Sequence, residues 1–188
     1  MSNFSNVVVN STIHRVILNI PNKPTLETRF VYDLETRGLN ATEPIFGACI
    51  NMETGEESVF SSMDGMRQHF ESHAPCVCFA HNGSKFDIFG LLSKHECYEN
   101  KKITGGTTIY ELELNGVRYR DSSHLLDMPL RKLAKSVDME KGITPQGFID
   151  GTITDFEQVT ETDIEYCLMD CRILVVALKR LHLIYASL

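Results

Sequence analysis

Phe30-Val31-Tyr32-Asp33-Leu34-Glu35-Thr36 carries an apolar run straight into two carboxylates with one residue between them. The run reads as a strand, and residues two apart on a strand project from the same face. Asp33 and Glu35 then point the same way from the end of a mostly buried strand. Two like charges so close repel and are costly to desolvate, so they need a cation or must give up a proton. The rest of the chain is read as supplying what this pair lacks.

The chain has 188 residues, enough for one domain with a proper core and short for two. Its 43% apolar and 23% charged residues are ordinary for a soluble globular protein, and no apolar run approaches the roughly 20 residues that span a bilayer. No membrane association is expected. Met1 to Asn6 lacks a basic segment before an apolar stretch, so the start does not read as a secretory signal. An intracellular, reducing setting is expected, cytoplasmic or else mitochondrial or viral-host.

Six cysteines stand at 49, 76, 78, 97, 167 and 171. A zinc site could draw on Cys76 and Cys78 with Cys167 and Cys171, or on His69 with His73. Yet no C-x-x-C pair occurs, and cysteine is commonly a small buried hydrophobe. Buried thiols are the expectation. The net charge of −7 argues against broad non-specific nucleic-acid binding, which wants a basic face. From Lys94 to Lys141, however, nine Lys/Arg stand against eight Asp/Glu, so the acid excess lies elsewhere.

Residues 1–28 are read as an arm or edge strand, with Ile13 to Ile20 cut off by Pro21 and Pro24, and residues 29–188 as the domain proper. Strands are expected near 29–34, 45–52 and 57–60. A helix follows from Ser61-Ser62 to about His73, then a buried strand at 76–80 and a helix from Phe86 to about His95. Asn115-Gly116 joins strands 107–114 and 117–121 as a tight hairpin. Pro129 opens a short helix to Val137. Residues 138–159 read as a loop, and Thr160-x-x-Asp163 caps a long final helix. Strands mixed with helices indicate a single α/β or α+β domain.

Acids recur where a core or turn ought to be. Asp87 sits at the junction of a buried strand and a helix, and Tyr166 and Asp170, four apart, share a helix face. Each piece alone has a plain structural reading: a solvated strand edge, a helix cap, a core ring beside an exposed acid. Together they allow four carboxylates to converge. Hard oxygen ligands of that kind suit Mg2+ or Mn2+, and two such ions stabilise attacking and leaving oxygens in phosphodiester hydrolysis.

Tyr32-Asp33-Leu34-Glu35-Thr36, His81-Asn82-x-x-x-Phe86-Asp87 and Tyr166-x-x-x-Asp170 resemble the three motifs of DnaQ-like (DEDD) 3′–5′ exonucleases, in the branch with tyrosine in the third motif. More narrowly, with Asp121-Ser122-Ser123 and Met128 to Lys135, the chain resembles the proofreading domain of protein-primed family B DNA polymerases over residues 29–187. The resemblance implies an RNase H-like fold with a central mixed sheet. It implies that Asp33, Glu35 and Asp170 bind the metal that activates water, with Asp33 bridging to a second metal near Asp87. Tyr166 is expected to orient that water. Thr36, His81, Asn82, Phe86 and Ser122 are expected to bind single-stranded DNA, and Lys141 falls in a loop that carries a functional lysine in this group. Ser123 departs from the leucine usual there. No polymerase palm motif is present, so a stand-alone exonuclease or an excised domain is expected, with a DNA polymerase or other replication protein as partner. RNA as substrate and a non-catalytic module binding a DNA end or a protein are the alternatives.

Overall fold

In a computed structural model, which describes residues 5–9, 12–16, 27–38, 43–105 and 108–186, Ser5–Val9 (β1) and Thr12–Val16 (β2) pair antiparallel as a separate two-stranded sheet. The expected strand at Ile13 to Ile20 falls partly on β2; residues 17–26 lie outside the described residues. The second sheet has seven strands. It comprises Thr28–Thr36 (β3), Pro44–Asn51 (β4), Glu57–Phe60 (β5), Cys76–Ala80 (β6), Lys101–Gly105 (β7), Thr108–Leu114 (β8) and Val117–Asp121 (β9). Their order is β5-β4-β3-β6-β9-β8-β7. β3 runs antiparallel to β4 and parallel to β6, and β6 runs parallel to β9. This α/β arrangement, with helices on both faces of a mixed sheet, is an RNase H-like fold.

β3 owes its central place to being apolar on both faces. Phe30, Tyr32 and Leu34 pack against Met63–Ser72 (α1) and Asp87–Leu91 (α2), through Met66, Phe70, Ile88 and Leu91. Val31 belongs to the opposite core, with Phe46, Ala48 and Ile50 of β4 and the long helix Glu161–Ala186, called α6 below. Asp33 and Glu35 continue the Val31 face and so meet α6. That helix docks through Cys167, Cys171, Leu174 and Leu178, all buried at helical spacing. Full burial of each such leucine or isoleucine contributes about 1.5–3 kcal/mol, enough in sum to hold together acids that repel one another.

Local signals explain most boundaries. Asn115 and Gly116, at φ 51° and 78°, make the β8–β9 turn. Thr160 and Asp163 cap α6 reciprocally, the Thr160 N–H donating to Asp163 Oδ2 at 2.9 Å and the Asp163 N–H to Thr160 Oγ1 at 3.3 Å. The helix expected from Phe86 to His95 is instead two. Ser93 breaks it by capping Lys94–Glu99 (α3), with Glu96 returning the bond. The loop expected at 138–159 contains a helix, Gln146–Asp150 (α5), between Pro145 and the left-handed Gly151, pinned by buried Phe148. It also holds a 3-10 turn, Phe156–Gln158. β7 was not expected, because its mostly exposed residues carry no apolar alternation. Pro129 precedes Leu130–Ser136 (α4), as anticipated. No helix among the described residues is long and apolar enough to cross a membrane.

Candidate active site

The four acids come together from three elements. β3 supplies Asp33 and Glu35, with a register shift against β4 between Glu35 and Thr36. α2 begins at Asp87, whose Oδ1 accepts the Leu34 N–H at 3.2 Å, tying the helix start to the strand between the two acids. α6 supplies Asp170. Glu35, Asp87 and Asp170 are buried and Asp33 is half-buried. Asp33 lines two cavities: one of about 220 Å³ with Thr36, Asn82, Phe86 and Asp87, and one of about 620 Å³ with Lys85, Ser123, Lys141 and Asp170.

The electrostatics of this cluster are those of anions lacking a counterion. Burial, then the charges of Asp87, Glu35 and Asp170, push the Asp33 carboxyl well above its ordinary range. Burial and the nearby Asp170 push Glu35 up to about 8. Burial pushes Asp87 up to about 7 although the Leu34 N–H opposes it. Asp170 is also raised by burial, against the opposing pull of Lys141. Lys141 pairs with Asp170 Oδ2, and among the described residues no ion pair reaches Asp33, Glu35 or Asp87. Asp170 Oδ1 is buried without any hydrogen-bond partner. One ammonium facing four acids, one of them with an orphaned oxygen, fits a site built for a divalent cation.

Tyr166 stands behind this cluster. Its hydroxyl lies 3.0 Å from Lys141 Nζ and 2.9 Å from Thr144 Oγ1, and the ammonium sits 4.6 Å from the ring centroid. Burial raises the phenol despite the bonds from Lys141 and Thr144, so it stays protonated at neutral pH. Lys141 is held charged, its burial outweighed by Asp170 and Tyr166.

The turn after β6 is fixed by Asp121, whose structural role the sequence reading missed. Its buried carboxylate accepts the N–H groups of Asn82 and Ser84 at 3.0 Å each, the Ser84 hydroxyl at 2.5 Å and the Ser123 N–H at 2.8 Å. Burial raises this carboxyl, but the bonds from Ser84 and Ser123 outweigh it and leave it below its ordinary range. The turn holds Asn82 at φ 64°, a left-handed conformation that asparagine tolerates better than most residues. Its signal was an acid ending a buried strand, the same signal that marks Asp33.

His81 lines both cavities but is tied inward. Nε2 lies 2.9 Å from the Met128 carbonyl, which can only accept, and Nδ1 lies 3.1 Å from Ser122 Oγ. Burial lowers its pKa, leaving a neutral ring with its hydrogen on Nε2. Ser122 is completely buried, with its hydroxyl 3.0 Å from the Ala80 carbonyl. In this arrangement Ser122 touches His81, and Ser123 is the serine that lines the larger cavity. Phe86 is 55% exposed at the mouth of the smaller one. The Thr36 hydroxyl donates to Gly38 O at 3.3 Å.

All six cysteines are free and buried. Among the described residues, one group of three metal-ligating side chains lies within 4.8 Å: Asp33, Glu35 and Cys167.

No family model and no curated protein matches the sequence. Solved structures do. Phi29 DNA polymerase complexed with single-stranded DNA aligns at TM-score 0.61 and 15% identity, covering 86% of this chain and 32% of that one. The same polymerase with primer-template DNA and incoming nucleotides gives 0.59 at 16% identity, with the same coverage. The family B DNA polymerase from the hyperthermophilic archaeon Pyrobaculum calidifontis gives 0.61 at 15% identity, covering 95% of this chain and 28% of that one. The likeness is one of fold. The chain spans about a third or less of the length of these polymerases.

Proposed function

We propose that the chain is a divalent-metal-dependent 3′–5′ exonuclease acting on single-stranded DNA, either alone or as the proofreading part of a DNA polymerase. The observation that carries the reading is a cluster of four acids, three of which line two cavities that share Asp33, with Glu35 buried beside Asp33 and Asp170 Oδ1 left unpartnered. The 3′–5′ direction is what the resemblance of the chain's motifs to DnaQ-like exonucleases implies.

Asp33, Glu35, Asp87 and Asp170 would hold Mg2+ or Mn2+, which when bound supply positive charge to the attacking and leaving oxygens of the phosphodiester. In the reaction, water adds to phosphorus, the bond to the upstream 3′ oxygen breaks, and a nucleoside monophosphate leaves. Tyr166 orients the water through its hydroxyl and is not a base, because its phenol remains protonated. Lys141 and Thr144 fix that hydroxyl. Exposed Phe86 offers a face on which a base stacks, an interaction of about 1–3 kcal/mol. Asn82 and Thr36, beside it in the smaller cavity, are placed to hold the terminal nucleotide.

The test is 5′-labelled single-stranded DNA with Mg2+ or Mn2+, wild type beside Asp33→Ala. A ladder shortening from the 3′ end and lost in the variant is expected. A folded wild-type protein that leaves the DNA intact would overturn the nuclease reading, and a clear preference for a matched RNA would overturn the choice of DNA.

A further inference from the structure

We propose that Cys167 gives the Asp33–Glu35 centre a second binding mode, selective for thiophilic divalent ions such as Zn2+ and Cd2+. The geometry points to it directly. Cys167 Sγ is 3.7 Å from Asp33 Oδ2, and one donor atom from each of Asp33, Glu35 and Cys167 lies within 4.8 Å of the others. A tetrahedral ion with bonds of about 2.3 Å to sulfur and about 2.0 Å to oxygen places those two donors roughly 3.5 Å apart. The Cys167–Asp33 pair already has about that spacing.

A further acid is nearby, its charge acting on both Asp33 and Glu35. Asp170 lies three residues after Cys167 on α6, is 6% exposed, and leaves Oδ1 buried with no partner. Two carboxylates and a thiol form a mixed set that hard and soft ions use differently. Mg2+ takes oxygen ligands only and leaves the thiol as a neighbour of Asp33. Zn2+ or Cd2+ gains a sulfur ligand, the thiol proton passing to solvent as the metal–sulfur bond forms. Asp33 is half-buried and lines both cavities, which gives an ion a way in, while Cys167 is fully buried.

The experiment titrates the full, chelator-stripped chain with Cd2+ and follows thiolate-to-Cd2+ charge-transfer absorption in the ultraviolet. Absorption that saturates at one equivalent, is displaced by Zn2+ but not by excess Mg2+, and is missing in Cys167→Ala is expected. No absorption in the wild type, or unchanged absorption in a folded Cys167→Ala, would overturn the proposal. Should that variant not fold, Asp33→Asn keeps every cysteine and is expected to weaken Cd2+ binding by about tenfold or more. Unchanged affinity there also overturns it. One consequence rests on the nuclease reading: Zn2+ should inhibit Mg2+-supported cleavage. Charge-transfer absorption in a protein that cleaves nothing would sink the nuclease reading and leave the metal site standing.

Discussion

Asp121 Oδ2 accepts both the main-chain N–H and the hydroxyl of Ser84, at 3.0 Å and 2.5 Å, across 37 residues of chain. The end of β9 thereby fixes the turn that starts α2, and so fixes Phe86 and Asp87. Asp121→Ala leaves those donors buried and unpaired. Hydrogen bonds to charged groups are worth about 1.5–3 kcal/mol each, so a net loss of roughly 2–4 kcal/mol is expected, with cleavage falling as Asp87 loses its placement. Thermal melts alongside the labelled-strand assay check it, and an unchanged melting temperature would refute it.

Removing an acid from the cluster should separate stability from activity. Asp33→Asn abolishes a charge that its surroundings oppose, so the metal-free variant should melt higher than metal-free wild type. A gain of about 1 kcal/mol corresponds to roughly 2–4 °C for a chain of this size. Cleavage should fall by about a thousandfold or more, a loss of about 4 kcal/mol of transition-state stabilisation. Paired melts in chelator, with and without Mg2+, provide the measurement.

The same acids set a pH dependence. Glu35 rises to about 8 and Asp87 to about 7 in the folded chain, both from ordinary values near 4. A carboxyl raised on folding binds its proton more tightly in the native state, so its contribution to stability is full below the unfolded pKa. That contribution is lost as pH climbs to the folded value. Metal-free protein should therefore lose stability steadily from about pH 4 to pH 8. Saturating Mg2+ should restore it most at the alkaline end. A melting temperature flat over that range would contradict the assignment.

Arg131 and Lys135 are exposed on α4 and line a cavity of about 490 Å³ that shares Lys141 with the larger active-site cavity. Neither forms an ion pair among the described residues. On the exonuclease reading they would offer a track for the phosphates of a bound strand. Replacing both with glutamine should weaken single-strand binding and reduce its salt dependence by about 1.4 in log–log slope, for two lost phosphate contacts. Binding titrations at several salt concentrations, in chelator so that nothing is cut, would show it. Unaltered slopes would remove α4 from the path.

Much of this was legible in residue types. Strong local signals fixed β3, β4, β6, the Asn115-Gly116 turn and the cap of α6, because each depends on neighbours in sequence. The acids were legible because a carboxylate ending an apolar strand is costly without a purpose. What could not be read was set at long range. Ser93 splitting a helix depends on a bond returned by Glu96, β7 exists because β8 offers it a partner, and Phe148 anchors α5 in a core assembled from distant elements. Ser122 facing inward and Cys167 lying against Asp33 follow from how β9 and α6 dock, which no local pattern records.

The acids also have an order of birth. Asp33, Glu35 and Asp87 emerge early in synthesis, while Asp170 and Tyr166 ride on α6, which must leave the ribosome and dock across β3 and β4 before the fourth carboxylate arrives. Any chemistry that needs all four is therefore withheld from the nascent chain. On the nuclease reading, nucleic acid near a half-made chain would be spared.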